Sequence, residues 1–252
     1  MQVVVLAGGK GTRLAPLTDT MPKVLVPVAG KPFAEHQIDL LRQGGATSLI
    51  YAIGHMGNQI CAHLGDGSRF GIPIAYVDDG VTPRGTAGCF RQAADDGVLD
   101  DRFLLIYGDS YLPVDLRPIW DDFTAATQPA LMTIFHNDGR WDRSNVAMAA
   151  DGKTIALYDK QNRYPDITLD HIDYGISGLT RDIIVRHIPP APAAMDLADL
   201  MHELSVNNQL AAHATGTRFW EIGSHEGLAE LHDALITGTL PQISGRQIGD
   251  PR

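Results

Sequence analysis

The chain has 252 residues, 30 acidic against 20 basic side chains, a net charge of −10 at pH 7, and 44% hydrophobic residues. These proportions are those of an ordinary soluble fold and exclude disordered, collagen-like and supercharged classes. A pI near 5.3 also excludes the cation excess with which non-specific nucleic-acid binders displace counterions. At this length folding buries roughly three quarters of the unfolded surface, so one core suffices without metal or disulfide staples. Cys61 and Cys89 share no CxxC spacing and read as reduced core thiols. No apolar run reaches the roughly 20 residues of a membrane span. The opening MQVVVLAGGK lacks the basic start and long apolar stretch of a signal peptide, so a cytoplasmic chain with no membrane or nucleic-acid partner is expected.

In chain order, residues 3–7 form an apolar run ending at Gly8-Gly9, the pattern of a strand buried on both faces. Residues 33–42 place Ala34, Ile38 and Leu41 on one helical face, stopped by Gly44-Gly45. A strand over 48–53, a short helix over 58–64 closed by Gly65, a strand over 72–77, a helix over 88–94 and a strand over 103–107 follow, the last ending at Gly108-Asp109. This alternation predicts an α/β fold, three-layered and Rossmann-like, with ligands gathered at the carboxyl ends of a mostly parallel central sheet. A helix over 115–126, a strand over 130–135 and a hairpin of 146–149 with 154–158, turned at Asp151-Gly152, predict antiparallel additions. Pro189, Pro190 and Pro192 then lead to a helix with Leu197, Leu200, Met201 and Leu204 in its stripe and Asp196 as N-cap. One domain over 1–235 and a loose, Gly-rich tail over 236–252 are expected.

Charge is uneven along the chain. Residues 1–31 hold Lys10, Arg13, Lys23 and Lys31 against Asp19 alone, a net +3 in an acidic protein, which points to a local anion site. The loop Leu6-Ala7-Gly8-Gly9-Lys10-Gly11-Thr12-Arg13 puts three glycines after a buried strand, so its backbone N–H groups can approach phosphate oxygens while Lys10 and Arg13 add charge. It is neither GxxxxGK[ST] nor GxGxxG, because Leu14 stands where the third glycine belongs.

LAGGKGTRLAPLT followed by PKVLVPVAGKP resembles the signature of the sugar-1-phosphate nucleotidyltransferases. The resemblance continues through His36-Gln37-Ile38, GDGSRFG at 65–71, Gly85-Thr86-Ala87-Gly88, Gly108-Asp109 and Phe219-Trp220-Glu221-Ile222-Gly223, covering the chain to about residue 233. It implies a nucleotide-binding part over about 1–112, a sugar-binding part over about 113–235, and attack of a sugar 1-phosphate on the α-phosphorus of a nucleoside triphosphate with loss of pyrophosphate. A phosphate monoester, with a second pKa of about 6, is already largely anionic at pH 7 and needs no general base. The requirement is instead for cations, backbone donors and a divalent metal.

By motif position, the resemblance assigns Leu6, Ala7, Gly8, Gly9, Lys10, Gly11, Thr12, Gly85, Thr86, Ala87 and Gly88 to the nucleotide. It assigns Arg13 and Lys23 to the reacting phosphates, and Asp109 with Glu221 to Mg²⁺, Glu221 replacing the family's usual Asp. Asn145, Asp159, Lys160, Tyr174 and Gly175 fall to the sugar phosphate, Asp159-Lys160 standing where other members carry Glu-Lys. Lys23 also reads as a solvated lysine between prolines, Glu221 as a salt-bridge partner, and Lys160 and Asn145 as surface residues beside the hairpin. The Gly85–Gly88 turn is similar to those of mannose and heptose 1-phosphate guanylyltransferases, whereas GDGSRFG resembles N-acetylmuramate 1-phosphate uridylyltransferases. GTP with a mannose- or heptose-type sugar is the expectation, a uridylyltransferase for an N-acetylhexosamine or N-acetylmuramate 1-phosphate the alternative.

Two other classes compete. A glycosyltransferase would typically hold metal with DxD, which Asp109-Ser110-Tyr111 is not, and a non-catalytic nucleotide sensor is suggested only by the replacements at Glu221 and Asp159. His202-Glu203 lacks the second histidine of HExxH, and His55 and His225 read as surface or hydrogen-bonding residues. A homo-oligomer paired through 160–215 remains open.

Overall fold

A computed structural model describes residues 1–78, 85–139, 141, 143–191 and 193–243. Its central sheet is built from β1 Gln2–Leu6, β2 Ser48–Ile53, β3 Ile74–Asp78, β4 Arg102–Tyr107, β5 Ala130–His136, β6 Val146–Met148, β7 Ile155–Tyr158, β8 His171–Thr180 and β9 Leu210–Thr215. The α-helices are α1 Phe33–Gln43, α2 Gly57–Leu64, α3 Gly88–Asp95, α4 Leu116–Ala125, α5 Arg181–His187, α6 Leu197–Val206 and α7 His225–Thr237.

The parallel core runs β3-β2-β1-β4. β1 lies between its two neighbours with Leu6 opposite both Ala52 and Tyr107, so the chain order reverses there and a crevice opens at the carboxyl ends of β1 and β4. β1 is apolar throughout because both faces are covered: Val3 and Val5 join the core under α1, α2 and α4, while Val4 joins the core under α3, α5 and α6. Asp196 caps α6 as expected, accepting the N–H of Ala198, and Asp115, expected inside the helix over 115–126, instead caps α4 by accepting the N–H of Arg117; such caps contribute about 1 kcal/mol each.

The antiparallel additions form around β8, which pairs with β4 on one side and β5 on the other, while β9 pairs parallel to β5 and β6–β7 form the expected hairpin. Neither β8, β9, α5 nor α7 stands out in the sequence. β8 carries Gly175 and Gly178 inside a strand and slips register between Asp173 and Ser177, a bulge with Gly175 at φ +100°. A third, smaller core of Val28, Phe33, Leu40, Tyr111, Trp220, Ile222, Leu231 and Ala234 seats α7 at the end of the sheet. Leu240 and Ile243 pack against it, whereas residues 244–252 of the expected tail lie outside the described residues. Among the described residues no helix is long and apolar enough to cross a membrane.

Candidate active site

The glycine-rich loop leaves β1 and turns at once into a 3-10 turn over Thr12–Leu14. Leu14 is fully buried, which explains the absent third glycine: that position anchors the loop in the core instead of approaching a ligand. Gly11 adopts φ +63°, and a Cβ there would stand 3.0 Å from Lys23 Cβ and 3.1 Å from Thr18 Cγ2. Thr18 Oγ1 donates to Gly11 O at 3.0 Å, so the loop is docked against the Lys23 segment. Gly9 has open space where a side chain would sit, leaving its backbone accessible. Lys31 turns to Asp39 at 2.7 Å, so the basic front end narrows to Lys10, Arg13 and Lys23.

Lys23 and Asp109 meet across the crevice, Nζ to Oδ2 at 2.5 Å. Asp109 reaches this position because Gly108 passes under β1: its N–H donates to Leu6 O at 2.9 Å, and a Cβ on Gly108 would lie 2.5 Å from that oxygen. The fully buried Gln37 braces the same turn, donating to Tyr107 O at 3.0 Å and Ser110 O at 2.9 Å. On the other side, Trp220 and Glu221 pair antiparallel with Tyr111 and Ser110, and Ile222 N–H donates to Asp109 O at 2.9 Å. This brings residues more than a hundred positions apart together: the Cβ site of Gly223 is 3.0 Å from Arg13 Nη2 and 3.8 Å from Lys23 Nζ.

Among the described residues no three His, Cys, Asp or Glu side chains converge on one point. The carboxylates that the chain could offer a metal here are Asp109, which precedes Ser110–Tyr111, and Glu221, which pairs with Ser110. That donor set fits Mg²⁺, a hard cation that commonly takes one or two carboxylates and completes its shell with water and substrate phosphate.

Beside the loop lies a cleft of about 330 Å³ lined by Leu6, Gly8, Gly9, Ala52, Ile53, Gly85, Thr86, Cys89 and Tyr107. Ala52, Ile53, Cys89 and Tyr107 carry no motif; their place shows only once the carboxyl ends of β2 and β4 are set beside β1. Cys89 is thus a cleft residue as well as a buried cysteine, its thiol donating to Thr86 O at 3.5 Å, and Cys61 is only partly buried. The Gly85–Gly88 turn is fastened to the start of α6. A Cβ on Gly85 would meet Met195 O at 2.2 Å, Ala87 N–H donates to Met195 O, and Thr86 Oγ1 donates to Asp196 Oδ1 at 2.9 Å and accepts from Leu197 N–H at 2.8 Å. The preceding Pro83-Arg84 lies outside the described residues.

Across the cleft, Lys160 brings its ammonium 5.5 Å from the centre of the Tyr107 ring. α6 holds the strand end that carries it: Tyr158 N–H donates to Ser205 Oγ at 3.0 Å, and His202 Nδ1 bonds Tyr158 O at 2.7 Å. For two sugar-side residues the structure changes the expectation. Asp159 is buried, its oxygens accepting the N–H groups of Arg163 at 2.9 Å and Tyr164 at 2.8 Å, so it closes its own turn. Despite its burial these donors hold its carboxyl below the usual range. Tyr174 is buried against Phe135 and Phe219, its hydroxyl without a hydrogen-bond partner among the described residues, a core residue rather than a cleft residue. Gly175 supplies the bulge beside Tyr107, and Asn145 Oδ1 accepts the N–H of Asp173 at 2.9 Å. Of the histidines, His225 Nε2 bonds Ala15 O and His55 N–H donates to Gly8 O, both bracing the loop region.

The Nucleotidyl transferase family model matches residues 2–237. Mannose-1-phosphate guanylyltransferase of Mycobacterium tuberculosis is 36% identical over 243 residues, 96% of this chain and 66% of that one. N-acetylmuramate alpha-1-phosphate uridylyltransferase of Neisseria meningitidis serogroup B is 36% identical over 182 residues, 71% of this chain and 72% of that one. The chain spans about two thirds of the length of the curated relatives that it matches end to end. The crystal structure of HddC from Yersinia pseudotuberculosis superposes with a TM-score of 0.74 at 21% identity, over 93% of this chain and 99% of that one.

Proposed function

The chain belongs to the nucleotidyl transferase family, and we propose that it joins a sugar 1-phosphate to a nucleoside triphosphate, forming a nucleoside diphosphate sugar and pyrophosphate. The observation that carries this is the meeting of Arg13, Lys23, Asp109 and Gly223 at the mouth of a cleft whose far side holds Lys160.

The nucleoside sits in the cleft against Gly85 and Thr86, and its phosphates run along the open backbone of Gly8, Gly9 and Gly11. Arg13 takes the β and γ phosphates with its planar fork, and Lys23 the reacting phosphate as a point charge. Lys160 holds the sugar phosphate, whose oxygen attacks the α-phosphorus as the bond to the β-phosphate oxygen breaks. The electron pair leaves with pyrophosphate, where Arg13 and Lys23 stabilise it. No side chain has to accept a proton, in keeping with a cleft lined by no histidine among the described residues. Asp109 and Glu221 would hold Mg²⁺, which supplies charge neutralisation at the phosphates.

For the nucleotide and sugar, GTP with a mannose- or heptose-type 1-phosphate is supported by the end-to-end match to the mycobacterial guanylyltransferase. UTP with N-acetylmuramate 1-phosphate is the second reading, supported by the neisserial relative. Pyrophosphate release, with each nucleoside triphosphate offered singly against the candidate sugar 1-phosphates in Mg²⁺, tests both. Release with one nucleotide, lost in Asp109→Ala, is expected; release of nucleoside diphosphate instead would overturn the reaction.

A further inference from the structure

α1 carries two adjacent polar side chains, His36 and Gln37, that touch no part of the chemistry above yet reach both halves of the site. Gln37 stands between Ala34 and Ile38 on the stripe by which α1 enters the core, fully buried where an apolar residue would fit the pattern. Its Nε2 donates to Tyr107 O at 3.0 Å and to Ser110 O at 2.9 Å, the carbonyls on either side of Gly108-Asp109. Two carbonyls require the nitrogen on that side, so the amide cannot turn over, and its Oε1 is left buried without a hydrogen-bond partner among the described residues. An unmade buried acceptor is a cost to the fold. Stability alone therefore gives little reason for a glutamine at this position.

The same stretch of α1 is tied to the segment that carries Lys23. Val26 N–H donates to Lys23 O at 3.1 Å, Val26 O accepts the Phe33 N–H at 3.0 Å, and His36 Nε2 bonds Val28 O at 2.8 Å. From Phe33 to Gln37, little more than one helical turn, α1 thus grips both the segment bearing the cation and the turn bearing the carboxylate. Lys23 and Asp109 are 86 positions apart in the chain, and this turn of helix bridges the backbones on which they stand.

We propose, resting on the reaction above, that Gln37 is a positioning residue for the metal: by clipping both sides of Gly108-Asp109 to the helix that holds the Lys23 segment, it sets where the Asp109 carboxylate stands and so how tightly the site takes Mg²⁺ with nucleotide. Mg²⁺ demands near-ideal octahedral geometry at short range, so a carboxylate on a loosened backbone serves it poorly. Groups that hold a ligand in place, without touching the metal, commonly govern affinity about 10–100-fold.

Gln37→Met keeps the length and removes both donors, and Gln37→Glu keeps the shape but sets an acceptor against the two carbonyls. Calorimetric titration of GTP and of UTP, once in Mg²⁺ and once in EDTA, is combined with the Mg²⁺ dependence of pyrophosphate release and a thermal melt. In Gln37→Met the affinity in EDTA should match wild type, the gain conferred by Mg²⁺ should shrink, and half-saturating Mg²⁺ should rise about tenfold or more. Its melting temperature should stay within a few degrees, because the lost donors are offset by removal of an acceptor that had no partner. Gln37→Glu should take up Mg²⁺ less well still. An unchanged Mg²⁺ requirement, nucleotide binding weakened equally with and without Mg²⁺, or variants that fail to fold would each make Gln37 a residue of the fold alone and overturn the proposal. A wild type whose nucleotide affinity gains nothing from Mg²⁺ overturns it too. Mg²⁺-dependent nucleotide binding with no pyrophosphate from any sugar 1-phosphate overturns the reaction, while the titrations still decide the role of Gln37.

Discussion

Gly108→Ala adds one carbon at the point where β4 hands over to Asp109. That carbon would sit 2.5 Å from Leu6 O. The oxygen cannot swing away, because it is the backbone of β1 and accepts the Gly108 N–H itself. Reaching even a tight 3.0 Å requires half an ångström of movement and an ordinary 3.4 Å contact requires nearly one, shared between two central strands. Overpacking of this kind costs about 1–3 kcal/mol, and for a chain of this size each kcal/mol lowers Tm by roughly 2–4 °C. The same displacement moves Asp109 relative to Lys23, and misplacing a reacting constellation by about 1 Å costs roughly 100-fold in turnover. Pyrophosphate release and a thermal melt on the same preparation read both effects. A Gly108→Ala enzyme with kcat within about threefold of wild type would refute the claim that this close approach positions the site.

Gly9→Ala is the counterpart: with open space around its Cβ position it should melt as wild type does yet bind nucleotide more weakly, read by calorimetric titration. Arg13→Lys should lose about tenfold or more in kcat, because a point charge cannot replace a planar fork on phosphate. Ser205→Ala strips the buried Tyr158 N–H of its acceptor, costing about 1–3 kcal/mol in a denaturation curve, and should raise the KM for sugar phosphate, since Lys160 follows two residues later. Burial makes Asp173 bind its proton more tightly folded than unfolded, so its contribution favours the fold at acid pH and is lost as pH rises through the raised folded value. Asp173→Asn should therefore melt higher than wild type at pH 7, the gap closing below the unfolded carboxyl value of about 3.9.

The local chemistry of the parallel half was legible from the chain alone. Apolar runs of five or six residues ending in Gly8-Gly9 and Gly108-Asp109, alternating with helical stripes, specify β1, β4 and the helices between them because propensity, burial and turn residues agree there. Asp196 was readable as a cap for the same reason. The half around β8 was not, since a bulged strand with two glycines obeys neither period, and its burial comes from neighbours that arrive at β4, β5 and β6 from elsewhere in the sequence.

The glycine loop, its two cations and the Lys23 segment were set by the sequence, because close backbone approach and positive charge are properties of consecutive residues. Which groups share a site was decided only by the tertiary structure. Gly223 stands beside Arg13, Tyr107 under Lys160, and α6 fastens both the Gly85–Gly88 turn and the end of β7. Asp159 and Asp173 look alike in a sequence, yet one caps its own turn and the other reaches the hydroxyl of Tyr107, a cleft residue. Backbone N–H groups four and five residues on claim both oxygens of the first carboxylate, whereas the second shares itself between the Gly175 N–H and the hydroxyl of a tyrosine 66 positions away.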